Sequence, residues 1–240
     1  MQKILLTSLV AGFIAGFFVF AVQSFKLTPL IIQAEAYENL DSTNKDSGNK
    51  GLAKASMDIG HHHDHGSAET WKPTGSFERG LYTLVTNLGM SIGFALILVG
   101  AFTLRGDSMD VRRGVLWGLA GFATFSLAPS FGLPSELPGT MAGDLFARQT
   151  WWIGTALATA FGIYTLVFSR SNSLKVLGLA AIALPQIIGA PIAPLGGVAP
   201  TELNAQFAAA SLVTMAMFWV VLGAASGWFY GRNSTLASVQ

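Results

Sequence analysis

The chain has 240 residues, of which 51% are hydrophobic and only 11% charged. Soluble domains carry about 25% charged residues, so this chain lacks the polar surface a water-soluble fold of its length needs, and a bilayer is the alternative solvent. A net charge of +1 gives no ground for a nucleic-acid or acidic partner, and the lack of cysteine excludes disulfides, cysteine zinc sites and thiol nucleophiles.

The first apolar run is Ile4 to Val22, with Lys3 ahead of it. It is longer than a secretory h-region and near the ~20 residues that span a bilayer, so residues 1–25 are expected to form a first transmembrane helix. A cleaved signal peptide is the competing reading, with Ala34-Glu35-Ala36 as a distant small-x-small site. Gly12 and Gly16 form a GxxxG pair, which lets another helix approach closely.

Residues 26–78 are expected to form one long polar loop. Asp41 to Lys54 has linker composition, and His61-His62-His63-Asp64-His65 holds every histidine of the chain. With Asp58, these residues offer imidazole and carboxylate donors of the kind first-row divalent metals use. The expected role is ion capture, because His-rich tracts bind metal; a solvated polar tract is the alternative. Neither an H-E-x-x-H helix nor a closed zinc-finger spacing is present, so no metalloenzyme site is expected. Glu35 and Glu38 follow the first helix and offer either a second ligand group at a pore mouth or ordinary solvated charge.

Five more apolar runs follow, at about Leu81–Leu104, Val115–Phe131, Thr150–Phe168, Leu174–Ile188 and Phe207–Tyr230. Residues 79–232 are thus expected to form a five-helix membrane bundle, with 233–240 as a short tail. The run to Ile188 is the weakest, since Pro185, Gly189 and Pro191 permit a full helix or a broken, re-entrant one. GxxxG spacing recurs at Gly89/Gly93, Gly114/Gly118 and Gly223/Gly227, which predicts tight helix packing. Lys3, Arg105, Arg112, Arg113, Arg170, Lys175 and Arg232 fall on one side if six helices alternate, and the short loops of the other side carry only Arg148. The basic side is expected to be cytoplasmic, with both termini inside and the His loop outside.

Polar groups within the runs are sparse. Asn87 and Gln186 are expected to make helix–helix hydrogen bonds, or else to line a pathway. Asp144 and Arg148, four apart, are expected to pair on one helical face. Met90, Met215 and Met217 are expected to pack in the core. The Pro- and Gly-rich stretches 129–139 and 191–200 both fall on the outer side, where rigid turns cap a bundle or line an entrance.

Several stretches together resemble the bacterial CbtA family, a proposed cobalt transporter subunit. They are Gln33-Ala-Glu-Ala-Tyr-Glu38, the His/Asp cluster, Phe77-Glu-Arg-Gly-Leu-Tyr-Thr83 and Arg113-Gly-Val-Leu-Trp-Gly-Leu-Ala-Gly-Phe122. With them go Leu127-Ala-Pro129, Gly132-Leu-Pro-Ser-Glu-Leu-Pro-Gly139, Arg148-Gln-Thr-Trp-Trp152 and Leu184-Pro-Gln-Ile-Ile-Gly-Ala-Pro191. The resemblance implies a bacterial inner-membrane protein linked to cobalt uptake for cobalamin, and a small CbtB-type partner subunit.

The expectation is therefore an all-α polytopic bundle of about six transmembrane helices with one long polar outer loop. Its function would be divalent-cation uptake, with Co2+ favoured as substrate, no tightly bound cofactor and no catalysis. A non-transporting accessory or metal-sensing subunit, or a permease for nickel or another divalent metal, is the alternative, and a homo-oligomer is left open.

Overall fold

Apolar runs joined by charged or Pro/Gly-rich connections fold here into helices that lie side by side between two distinct ends. The computed structural model describes residues 2–52, 76–141, 143–192 and 196–237. Its helices are α1 (Gln2–Leu52), α2 (Ser76–Arg105), α3 (Val111–Phe122), α4 (Ala128–Ser130), α5 (Leu145–Phe168), α6 (Asn172–Ile188) and α7 (Thr201–Ala237), with a π-helical segment, Ala123–Leu127, joining α3 to α4. Among the described residues the only β pairing is an isolated bridge between Thr140 and Gly197. Among the described residues four helical stretches are long and apolar enough to cross a membrane: Gln2–Leu40, Phe77–Arg105, Leu145–Phe168 and Thr201–Arg232. The run Val111–Ser130 and the 17-residue α6 accompany them. At 1.5 Å per residue α6 reaches roughly 26 Å, a little under a ~30 Å hydrocarbon core.

α1 runs well past the expected boundary near residue 25, through Pro29 and on to Leu52. Proline usually breaks a helix by removing an N–H and pressing on the preceding turn. Here Pro29 lies on an exposed face. The hydroxyls of Ser24 and Thr28 donate to the carbonyls of Phe20 (2.9 Å) and Gln23 (3.2 Å), local bonds of the kind that accommodate a proline in an apolar helix. Beyond the proline, Ala34 is buried against Leu137, Ala199 and Leu203, so tertiary contact holds this part of α1 onto the bundle. Pro185 does not break α6 either. That helix is continuous to Ile188 and stops at Gly189, whose φ of 85° and ψ of 153° belong to a region open essentially to glycine alone. Gly189→Ala is expected to lower stability by about 1–3 kcal/mol. Gly154→Ala, inside α5 where an added Cβ meets nothing within 4 Å, is expected to be neutral or slightly stabilising. Thermal unfolding of the detergent-purified chain separates the two.

α3 begins at Val111 because Asp110 caps it, its carboxylate accepting from the Arg113 N–H at 2.7 Å. α3 and α7 meet through two GxxxG pairs. A Cβ at Gly118 would fall 2.2 Å from the Trp219 carbonyl oxygen, and one at Gly114 2.2 Å from that of Gly223. Gly12 and Gly16 likewise seat α1 against Ile92 and Leu88 of α2. Gly89 and Gly93 have the same spacing, yet a Cβ there meets nothing within 4 Å among the described residues. Between α1, α2, α3 and α7 lies a dry cluster that includes Val19, Val99, Phe102, Phe218, Trp219 and Leu222.

The two ends differ in chemistry. At one end the Lys3 ammonium lies 4.4 Å from the centre of the Tyr230 ring, and the Arg105 guanidinium 4.0 Å from that of Phe168. This gathers the start of α1 and the ends of α2, α5 and α7, with their basic residues, on one side. At the other end the two Pro/Gly-rich connections meet at the Thr140–Gly197 bridge.

Candidate functional site

The capture residues expected from sequence, Asp58, His61, His62, His63, Asp64 and His65, lie outside the described residues. Among the described residues no group of three or more His, Asp or Glu is placed to hold a metal ion. The polar groups that remain gather around two adjoining cavities near the Pro/Gly-rich end.

The larger cavity, about 690 Å3, lies between α1, α2 and α7, and Gln23, Thr28, Arg79, Thr83 and Ser211 are among its walls. Glu35 sits on α1 beside it. Its carboxylate accepts two hydrogen bonds from one Arg79 nitrogen, at 2.8 and 3.1 Å. Both side chains stay partly exposed, so the pair is only weakly stabilising and free to exchange. Glu38, one turn further on, is exposed and lies near Gly139. Asn87 is buried in α2 and donates to the Gln23 side-chain oxygen at 2.7 Å. Two of the expected pathway residues, Glu35 and Asn87, thus bond directly to groups that line one cavity.

The smaller cavity, about 420 Å3, reaches deeper, to Met90, Phe94, Ser126 and Trp219. Ser135, Ser211 and Met215 line both cavities, so the two adjoin. One wall is the π-helical segment with Pro129 behind it. There the Ala128 N–H bonds to the Ala123 carbonyl, one residue beyond the α pattern. Pro129, which stands where the next π-type donor belongs, has no N–H. The Thr124 carbonyl is therefore left without either an α- or a π-type donor. Backbone of this kind persists at membrane depth where it is packed in protein or borders a cavity. Gln186 of α6 supports the same region, its amide donating to the Ala128 carbonyl at 2.9 Å. It acts as the expected helix–helix bond and does not line either cavity. The floor is aromatic. Trp219 stacks on Phe125 with ring centres 5.7 Å apart and donates its indole N–H to the Ser126 hydroxyl at 3.2 Å.

Arg148 corrects an expectation. It does not pair with Asp144, which instead caps α5 by accepting from the Ala147 N–H at 2.8 Å. A residue at the N-cap points its carboxylate back at the first turn, away from a partner four residues on. Arg148 reaches across to Glu136 in the 131–144 connection at 2.9 Å, which ties that connection to α5. Met215 packs against the core cluster, as expected, and with Met90 it also lines the smaller cavity. Arg79, Gln23, Ser126 and Ser211 were not marked as site residues by sequence. Arg79 and Pro129, at the margins of apolar runs, are the signals that point toward them.

A family model described as Probable cobalt transporter subunit (CbtA) matches residues 1–231. No curated protein and no solved structure matches the chain.

Proposed function

The chain belongs to the CbtA family of probable cobalt transporter subunits, and from that premise we propose that it is the membrane permease subunit for divalent-cation uptake. It is an all-α membrane protein of a transporter-subunit class, which is not a class of enzymes. In this reading Co2+ crosses the bacterial inner membrane toward cobalamin synthesis, both termini are cytoplasmic, and His61, His62, His63 and His65 with Asp58 and Asp64 collect the ion outside. The helices cross six times, with Val111–Ser130 and α6 completing the set. A small CbtB-type subunit is the expected partner, and the membrane is the remaining surface it meets.

The observation that carries this reading is the pair of adjoining cavities, which run from the Pro/Gly-rich end to Trp219 near the middle of α7. A permease needs polar walls inside an apolar bundle, because an ion sheds water only where other dipoles replace it. The driving force need not be ATP. A potential of 100 mV is worth about 2.3 kcal/mol per charge, hence ~4.6 kcal/mol for a divalent ion moving inward. The dry cluster beneath Trp219 supports a second reading, a metal-binding accessory subunit whose cavity ends blind.

Uptake of radioactive cobalt decides between them. Cells carrying the chain with its small subunit are expected to accumulate the ion. Changing all four histidines to Ala is expected to raise the half-saturating concentration roughly fivefold, or ~1 kcal/mol of capture. Uptake unchanged by that substitution retires the capture loop. Absence of uptake in every combination leaves the accessory reading. The same competition with nickel in place of cobalt tests the metal.

A further inference from the structure

We propose that the smaller cavity is a transit site for a partly hydrated, late first-row divalent cation, and that Met90, Met215, Ser126 and Ser211 hold the ion. The proposal deepens the permease reading and rests on it for the direction of travel, while the site itself is defined by its own chemistry.

Four features lead there. The cavity of about 420 Å3 has room for roughly a dozen waters at ~30 Å3 each, so an ion enters with part of its shell. Its polar side chains are neutral: the hydroxyls of Ser126, Ser130, Ser135 and Ser211 and the thioethers of Met90 and Met215, with no carboxylate or cation in the wall; Ser130 already donates to the Leu127 carbonyl. Ser126 already accepts from the Trp219 indole, which holds its oxygen toward the aromatic floor and leaves it a second lone pair. Phe94, Phe125 and Trp219, packed with ring centres 4.9 to 5.7 Å apart, make the adjoining wall aromatic and add no charge to it.

Neutral dipoles bind a dication weakly enough for it to leave again, as conduction requires. The two thioethers set the preference. Mg2+ and Ca2+ favour oxygen ligands, and sulfur donors shift the balance toward later transition metals. A core made only for packing has no need of two thioethers and four hydroxyls around one cavity. Ser211 and Met215 also border the larger cavity, which makes them the junction through which the ion passes.

The absence of cysteine makes the test free of background. Ala208, in the cavity wall but not among the proposed ligands, is changed to Cys in the full chain, with the four histidines replaced by Ala to silence the loop. The protein is reconstituted in nanodiscs, where a cationic thiosulfonate reaches both faces. The expected result is steady labelling that CoCl2 slows about tenfold at ten times its dissociation constant, as simple occupancy demands, and that MgCl2 leaves unchanged. Adding Met90→Leu with Met215→Leu, a near-isosteric pair, is expected to abolish Co2+ protection while labelling without metal continues at its old rate. That continued rate shows the cavity is still formed. Val99→Cys, in the dry cluster below, is expected to stay unlabelled. No labelling at Ala208→Cys, labelling indifferent to Co2+, or protection that survives the double Leu substitution overturns the site. Protection in nanodiscs without uptake in cells keeps the site and sinks the permease reading; uptake without protection does the reverse.

Discussion

Gly118→Leu is expected to cost the protein its folded bundle. The added Cβ would lie 2.2 Å from the Trp219 carbonyl oxygen and 3.1 Å from the Gly223 Cα, so it meets backbone and no side chain can rotate away. Overpacking a core usually costs about 1–3 kcal/mol when neighbours can adjust. Here two helix axes must part, and the α3–α7 seam is shared by Gly114, Gly223 and Gly227, each equally crowded by backbone across the interface. The loss should exceed ~3 kcal/mol and appear as failed membrane accumulation or a collapsed unfolding transition in detergent. Gly93→Leu is the matched control, because a Cβ at that glycine meets nothing within 4 Å. Equal loss at both positions would refute the assignment of the α3–α7 contact as the seam of the bundle.

Removing the carboxylate of Glu35 is expected to impair uptake strongly, and removing Arg79 to have the opposite sign. With Glu35→Ala, Arg79 stands as an uncompensated cation in the wall of the larger cavity. A dication passing at about 10 Å meets a repulsion of ~3 kcal/mol at an effective dielectric of 20, and ~0.8 kcal/mol if water screens it fully. Uptake should therefore fall roughly tenfold, more at low ionic strength than at high. Arg79→Ala instead leaves Glu35 as a free carboxylate beside the cavity and should lower the half-saturating concentration. The double substitution restores neutrality and should return close to the parent. Initial rates of cobalt uptake across a salt series read all three. If both single variants moved uptake the same way, the pair would be a structural tie and not a charge balance at the mouth.

Much of the fold was legible because the bilayer imposes local rules. Apolar length marks helices, and Lys and Arg at their ends mark one side of the bundle; the contacts of Lys3 with Tyr230 and of Arg105 with Phe168 bring those ends together. The site was legible only in part. Asn87 and Glu35 stood out as polar residues within or beside apolar helices, but their partners Gln23 and Arg79 did not, since each lies a long way off in sequence. Ser126, Ser211, Met90 and Met215 look like packing residues in any one helix, and only the space they enclose together gives them a role.

The sequence by itself determined that this is a helical membrane chain of the CbtA family, where its apolar runs lie, and that its basic residues favour one end. Those properties follow from composition and spacing along a single segment. Tertiary structure decided the rest. Of the pairs Gly12/Gly16, Gly89/Gly93, Gly114/Gly118 and Gly223/Gly227, which share one spacing, all but Gly89/Gly93 are buried, because close approach needs a facing backbone that the spacing does not specify. Arg148 chose Glu136 over the nearer Asp144, because capping α5 had already turned the Asp144 carboxylate toward its own helix. α1 continued through Pro29 and α6 through Pro185, since the one is held on the bundle by Ala34 beyond its proline and the other is stopped by Gly189 only after its own. In each case a local preference was outweighed by contacts between segments distant in the chain, which no single window of residues contains.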